Sequence, residues 1–429
     1  MQAIILAAGE GTRMRSAVPK VLHSVMGRSI LGHVLAAVRE LGIHSPRIVV
    51  GNKAGRVRSF LERELPFRDL KPELVLQRVR RGTGHAVMMA EHSLRAFDGD
   101  VLVWPGDMPL LKRETLQDFI REHRASKAQA SVLSSLQVNP QGYGRILRAG
   151  GRFYAIREEI DANVKERAIQ EVNTGVYVFN QKKLFPALKK LRPSNRKKEL
   201  YLTDVVAVLA RENQAVRAFP LAASEEGCGV NTREDLAKVM RVMSRRELEY
   251  HMGRGVTVMS PEHTFIERGV QIGVDTRLYP WCYIESGVKI GKRCAIGPFA
   301  KIRSGTVIGD DSVIGSFVEV ARSQIGKKVL AKHLTYLGDA VVGDQTNIGA
   351  GTITANFDGK RKHKTRIGKN SFIGSNTVLV APTTLGANVK TGAGAVVTRG
   401  KKIKAGSVVV GVPARPLKLR REKTGNSSW

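Results

Sequence analysis

The sequence predicts an α/β domain with a mostly parallel sheet, joined by a helical linker to a parallel β-helix. Three observations carry that prediction. Up to about residue 230, strand-like apolar runs alternate with amphipathic helical ones. Residues 232–250, TREDLAKVMRVMSRRELEY, read as one polar helix suited to a rigid spacer. Beyond Gly253 an aliphatic residue stands before glycine at Ile272, Ile290, Ile296, Ile308, Ile314, Ile325, Val342, Ile348, Ile367, Ile373 and Leu385, with successive gaps of 18, 6, 12, 6, 11, 17, 6, 19, 6 and 12. Most gaps are multiples of six and the rest miss by one. In a hexapeptide β-helix the aliphatic residue points into the prism and glycine permits the corner.

In chain order, AIILAAG, RIVVGN, ELVLQ, DVLVWPGD, ASVLSSL and VNTGVYVF read as strands. SILGHVLAAVRELG, GTGHAVMMAEHSLRAF and RETLQDFIREHRA read as helices. Such an alternation puts ligands outside the carboxyl ends of the strands. With about 18 residues per coil, residues 255–411 hold roughly eight or nine coils. The off-register stretches 327–341 and 355–364 are expected as loops extruded from the stack. The expected division is therefore 1–231, a linker at 232–252, a β-helix at 253–416 and a mobile basic tail at 417–429.

Composition narrows the function. The chain has 429 residues, 42% of them hydrophobic, which is enough for sizeable cores. It has neither a signal-peptide pattern nor an 18-residue apolar run that could span a membrane. Cys228, Cys282 and Cys294 lack metal-ligand spacing and suit a reduced cytoplasm. The net charge of +32 is spread along the chain, with clusters at 189–198, 359–364, 399–404 and 418–423. No RNA-module signature or aromatic interleaving accompanies these clusters, so a basic surface and anionic substrates are favoured over nucleic acid.

The segment LAAGEGTRMRSAVPK, residues 6–20, follows the first strand. Backbone amides freed by Gly9 and Gly11 suit phosphate oxygens. Arg13 adds a forked cation and Lys20, after Pro19, a point charge.

This segment resembles the signature of sugar-1-phosphate nucleotidyltransferases. QRVRRGTGHAV, PGDMPLL, GYGRI, EVNTGVYVF, ELYLTD and GVNTRED follow in the order of the bacterial N-acetylglucosamine-1-phosphate uridyltransferase family. GPFAKIRSG, KHLTYLGDA, NIGAGTITANFDG and LVAPTT are similar to that family's second domain, a glucosamine-1-phosphate N-acetyltransferase. The resemblance implies a Rossmann-like nucleotidyltransferase domain, a left-handed β-helix and a homotrimer. It also implies two reactions: acetyl transfer from acetyl-CoA to glucosamine 1-phosphate, then uridylyl transfer from UTP to N-acetylglucosamine 1-phosphate with release of pyrophosphate.

By the same resemblance, Leu6, Ala7, Ala8, Gly9 and Gly11 with Arg13 and Lys20 would meet the triphosphate, and Asp107 and Asn231 would hold Mg²⁺. The need is physical: two like charges 4 Å apart cost ~4 kcal/mol at an effective dielectric of 20. Gln77, Gly82 and Thr83 would read the uracil, and Gly144, Glu158, Asn173 and Thr203 would hold the sugar. In the second domain His333 would be the general base, since an amine must be neutral to attack a thioester. Glu319 or Asn356 would orient the imidazole or the sugar amine. Arg303 and Tyr336 would bind the sugar phosphate and Asn347 the ring. Ala350, Asn356, Phe357, Ser375 and Ala393 would line the acetyl-CoA groove. His363 reads as a solvated loop residue.

The chain departs from the family pattern at several positions. Arg81 stands before GTG, Ala321 and Arg322 replace a lysine pair, Phe357 replaces a tyrosine, and Gly411 replaces an arginine. A nucleotidyltransferase whose β-helix only oligomerises or regulates is the alternative that these departures favour. A non-catalytic scaffold built from the same two folds is opposed by Arg13, Lys20, Asp107 and Asn231.

Overall fold

The computed structural model describes residues 1–417 apart from 52, 64 and 66. The last basic cluster, 418–423, and all of the expected tail except Leu417 lie outside the described residues. The chain forms two compact units, Met1–Val242 and Met243–Trp429. The helix Arg233–Met252 runs across that boundary. Among the described residues no helix is long and apolar enough to cross a membrane.

The first unit is built on a nine-stranded sheet. Its strands are β1 (Gln2–Ala7), β2 (Arg47–Val50), β3 (Glu73–Leu76), β4 (Asp100–Pro105), β5 (Ala130–Leu136), β6 (Arg145–Ala149), β7 (Arg152–Arg157), β8 (Glu171–Asn180) and β9 (Val216–Pro220). Their order is β9-β5-β8-β4-β1-β2-β3, with the β6–β7 hairpin attached to β8. β1 pairs in parallel with β2 and β4. Ala3, Ile4 and Ile5 are fully buried, as expected for a central parallel strand covered on both faces. β8 is the exception to the parallel expectation: it runs antiparallel to both β4 and β5. Its apolar run alone could not reveal direction, because parallel and antiparallel core strands look alike in composition.

The segment expected as one helix over 82–97 is two short ones, Thr83–Met88 and Glu91–Leu94. Leu6 lies in register with Pro105, and the Gly106 amide donates to the Leu6 carbonyl at 2.9 Å. That pairing sets the loop after β1 beside the loop after β4, which carries Asp107.

The second unit is a prism with three parallel faces of ten, eight and eight strands, one face closed at its end by an antiparallel strand. Leu278, Ile296, Ile314, Ala331, Ile348 and Ile373 stack inward along the first face, all buried. Along it, Arg277, Ala295, Val313, Leu330, Asn347, Phe372 and Lys390 pair in turn, so the coils are 18, 18, 17, 17, 25 and 18 residues long. The 25-residue coil contains 355–364, an extruded loop as expected. The stretch 327–341 is not a loop. It forms the in-register strands Leu330–His333 and Tyr336–Gly338. Two coils one residue short shifted the apparent register, and Ala331 occupies an inward position where the pattern required a larger aliphatic.

Candidate functional sites

The loop leaving β1 turns at Gly11, which adopts φ 64° and ψ 34°. A methyl group there would lie 2.8 Å from Lys20 Cβ, so a side chain would be strained by conformation and by space. Lys53 and Arg56 fasten the far side of the loop through the Ala17 carbonyl, at 3.5 and 2.9 Å. The loop borders a cleft of about 460 Å³, lined by Ala7, Ala8, Gly9, Glu10, Lys20, Lys53 and Arg80 among others. Arg13 is exposed and makes no side-chain hydrogen bond or ion pair among the described residues.

Lys20 is the centre of the arrangement. Its ammonium donates to an Asp107 carboxylate oxygen and, at 3.0 Å, to the Asn231 amide oxygen. Three distant segments thus converge. Asp107 follows β4, and its carbonyl accepts from the Val230 amide at 2.9 Å. Asn231 is fixed by the next helix. The Asp235 carboxylate accepts from the Asn231 and Thr232 amides at 3.0 and 2.9 Å, and the Thr232 hydroxyl accepts from the Asp235 amide at 3.1 Å. An acid at that position also complements the positive end of the helix. The two oxygens that the resemblance gives to Mg²⁺ therefore already face one cation, the ammonium. Their hard-oxygen chemistry fits Mg²⁺, which needs few protein ligands when phosphates and water complete its shell.

The GTG segment is locked to the chain near Leu200. Gly82 has φ 100°, and a methyl group on it would lie 2.5 Å from the Leu200 carbonyl oxygen. The Gly84 amide donates to that carbonyl at 2.8 Å, and the Leu202 amide donates to the Thr83 hydroxyl at 2.9 Å. Gln77 is buried, its amide directed at the Gly82 carbonyl and the His85 ring at 3.2 and 3.0 Å.

Gly144, Glu158, Asn173 and Thr203 come together beside this clamp. The Asn173 amide donates to the Gly144 carbonyl at 2.8 Å, and the Thr203 hydroxyl donates to Glu158 at 3.1 Å. Burial pushes the Glu158 carboxyl above its ordinary range, against the Thr203 hydrogen bond that favours the anion. Arg80, Glu10 and Lys53 were not singled out from sequence. The signal for Arg80 was the basic run RVRR.

In the β-helix, His333 ends the strand Leu330–His333 and is exposed. Ala350, Ser375 and Ala393 occupy the same place in later coils, three residues beyond Asn347, Phe372 and Lys390. One column therefore contains His333 and three small residues. Asn347 projects from the adjoining strand position. A second cluster lies around the next face. Arg303 donates to Glu319 at 3.1 Å, and Glu319 pairs across strands with Tyr336. Arg322 makes a forked pair with Asp339, both contacts at 2.8 Å. The Asn356 amide donates to the same carboxylate. Arg322 first, then Asn356, holds the Asp339 carboxyl below its usual value despite burial.

Among the described residues Glu319 accepts from Arg303 and Asn356 donates to Asp339, and no hydrogen bond joins either to His333. Asn356 sits with Arg322 and Asp339. One expectation needs correction: His363 lies on the extruded loop but is not solvated. Its ring contacts Asp358 at 2.6 Å and its side chain is only 13% exposed. Phe357 is 60% exposed.

A phosphate-loop α/β unit with convergent Lys20, Asp107 and Asn231, and a hexapeptide β-helix with its own polar cluster, define a nucleotidyltransferase joined to a hexapeptide-repeat transferase. Residues 3–209 match the MobA-like NTP transferase domain, and 287–322 and 364–399 match the bacterial transferase hexapeptide (six repeats). The chain belongs to the bifunctional GlmU family. It is 40% identical over 450 residues to Bifunctional protein GlmU of Streptococcus uberis, covering 97% of this chain and 96% of that one. With the protein of the same name from Lactococcus lactis it shares 40% identity over 455 residues, covering 98% and 97%. The prism is accordingly a left-handed parallel β-helix.

Proposed function

We propose that this protein makes UDP-N-acetylglucosamine in two steps at two separate sites. Glucosamine 1-phosphate first takes acetyl from acetyl-CoA; N-acetylglucosamine 1-phosphate then takes uridylyl from UTP. The observation that carries the reading is the Asp107–Lys20–Asn231 convergence beside a glycine loop lined with cations.

In the uridylyl step a phosphate oxygen of the sugar attacks the α-phosphorus, and the bond to the β-phosphate breaks to release pyrophosphate. Both reactants are anions, so the residues must lower their repulsion. Amides of Gly9 and Gly11 cradle phosphate oxygens, and Arg13, exposed and without a side-chain partner among the described residues, neutralises the leaving pyrophosphate. Lys20 has a flexible stem that lets its ammonium turn from Asp107 and Asn231 toward the triphosphate. Mg²⁺ bound by those two oxygens would supply further charge neutralisation. Glu158, Asn173 and Thr203 orient the sugar through its hydroxyls, and the clamp at Gly82 and Thr83 shapes the base pocket.

In the acetyl step the sugar amine attacks the thioester carbonyl, His333 takes the amine proton, and CoA departs as its thiol. Arg303, Arg322 and Tyr336 attract the sugar phosphate, and the small residues Ala350, Ser375 and Ala393 leave room for the pantetheine arm. Exposed Trp281, Phe299 and Phe317, stacked along one corner, favour burial against other copies in a homotrimer. A cytoplasmic setting fits three free cysteines. The test is to supply N-acetylglucosamine 1-phosphate, UTP and Mg²⁺ and follow pyrophosphate, then repeat with Asp107→Ala; a rate unchanged by the substitution rejects the site.

A further inference from the structure

An acidic residue is out of place on a loop built for a triphosphate, yet Glu10 stands between Gly9 and Gly11 and lines the cleft. Its carboxylate is held by an ion pair to Arg80, which reaches over from the segment after β3. The pair joins the segment that would hold phosphates to the segment that would hold the base. Neither partner is buried, with side chains 39% and 52% exposed, so little of the contact's strength is shielded from solvent. As a stabilising device for the fold such a pair is weak. As a means of aiming a guanidinium it is effective, because the fork has donors left over when one nitrogen is engaged. Arg80 and Lys53 hold the Glu10 carboxyl below its ordinary range, so the anion persists at neutral pH.

We propose that Arg80 is a binding residue for the nucleoside triphosphate, pinned over the phosphate loop by Glu10, so that its remaining donors meet the incoming phosphates. The inference rests on the nucleotidyltransferase reading and adds to it a residue that this chain places there. Loss of one such charge-assisted contact at a half-exposed site raises KM for the triphosphate about tenfold, with kcat little changed. KM for the sugar phosphate stays the same.

The simpler explanation is that Arg80 only neutralises Glu10, and a pair of variants separates the two. Arg80→Gln raises KM for UTP on either account, because the carboxylate it leaves behind repels phosphates. The double variant Glu10→Gln/Arg80→Gln removes that repulsion. On our proposal its KM stays about five- to tenfold above that of the parent protein, because the guanidinium contact is missing. Arg80→Lys recovers part of the loss. Return of KM to the parent value in the double variant overturns the proposal, as does an unchanged KM in Arg80→Gln. The parent protein is assayed first with UTP and each other nucleoside triphosphate. Absence of pyrophosphate from all of them rejects the underlying nucleotidyltransferase reading, whereas turnover with KM insensitive to Arg80 rejects this inference alone.

Discussion

Replacing Gly11 with alanine probes the link between the loop's conformation and Lys20. Gly11 lies in the left-handed region, and alanine held there costs about 1–2 kcal/mol. The new methyl group would also meet Lys20 Cβ at 2.8 Å. That contact is at the root of the lysine, so no rotamer change relieves it and the two backbones must separate. Overpacking of this kind costs about 1–3 kcal/mol. Part of the strain appears as lost stability, at ~2–4 °C of melting temperature per kcal/mol for a unit of this size. The rest moves Lys20, whose ammonium meets both Asp107 and Asn231. A displacement approaching 1 Å in a reacting group costs about 100-fold in rate. The expected result is a fall of roughly 30- to 100-fold in kcat/KM for pyrophosphate release, with CoA release from the other site unchanged. Gly9→Ala is the stability control, since a methyl group there meets nothing within 4 Å. Unaltered kcat/KM in Gly11→Ala would refute the claim that this turn positions Lys20.

Further outcomes follow from other contacts. Thr83→Ala leaves the Leu202 amide without its acceptor, which should cost about 1–2 kcal/mol in denaturant unfolding and raise KM for UTP. Glu158 has a folded-state pKa raised by burial, so its ionisation opposes folding. Stability is therefore full below the unfolded carboxylate pKa and declines as pH rises through the folded value. Glu158→Gln should raise the melting temperature of the first unit at neutral pH and flatten that decline, while weakening sugar binding. In the β-helix, Arg322→Ala leaves the half-buried Asp339 carboxylate with Asn356 alone, and KM for glucosamine 1-phosphate should rise at least tenfold in the CoA-release assay.

Much of the architecture was legible because it is periodic. Ile290, Ile296, Ile308 and Ile314 declare the prism by spacing alone, since each must point inward at one corner of a six-residue step. The pattern failed at Ala331, where a small inward residue and two 17-residue coils hid strands as a loop. Within the first unit, the glycine loop with Arg13 and Lys20 is contiguous and could be read directly. The convergence of Lys20, Asp107 and Asn231 has no spacing rule, because β1 and β4 are neighbours only in the folded sheet; the family resemblance alone brought these residues together. The same limit hid the Thr83–Leu202 clamp and the Glu10–Arg80 pair.

The proposed function requires that one chain hold two independent catalytic sites. The most direct measurement runs both reactions on the full chain and on Asp107→Ala and His333→Ala. One assay follows CoA released from acetyl-CoA and glucosamine 1-phosphate, and the other follows pyrophosphate from UTP and N-acetylglucosamine 1-phosphate. Asp107→Ala should abolish pyrophosphate release and leave CoA release intact, and His333→Ala should do the reverse. Pyrophosphate without any CoA from the parent protein would contradict the proposed function and leave the β-helix as a scaffold.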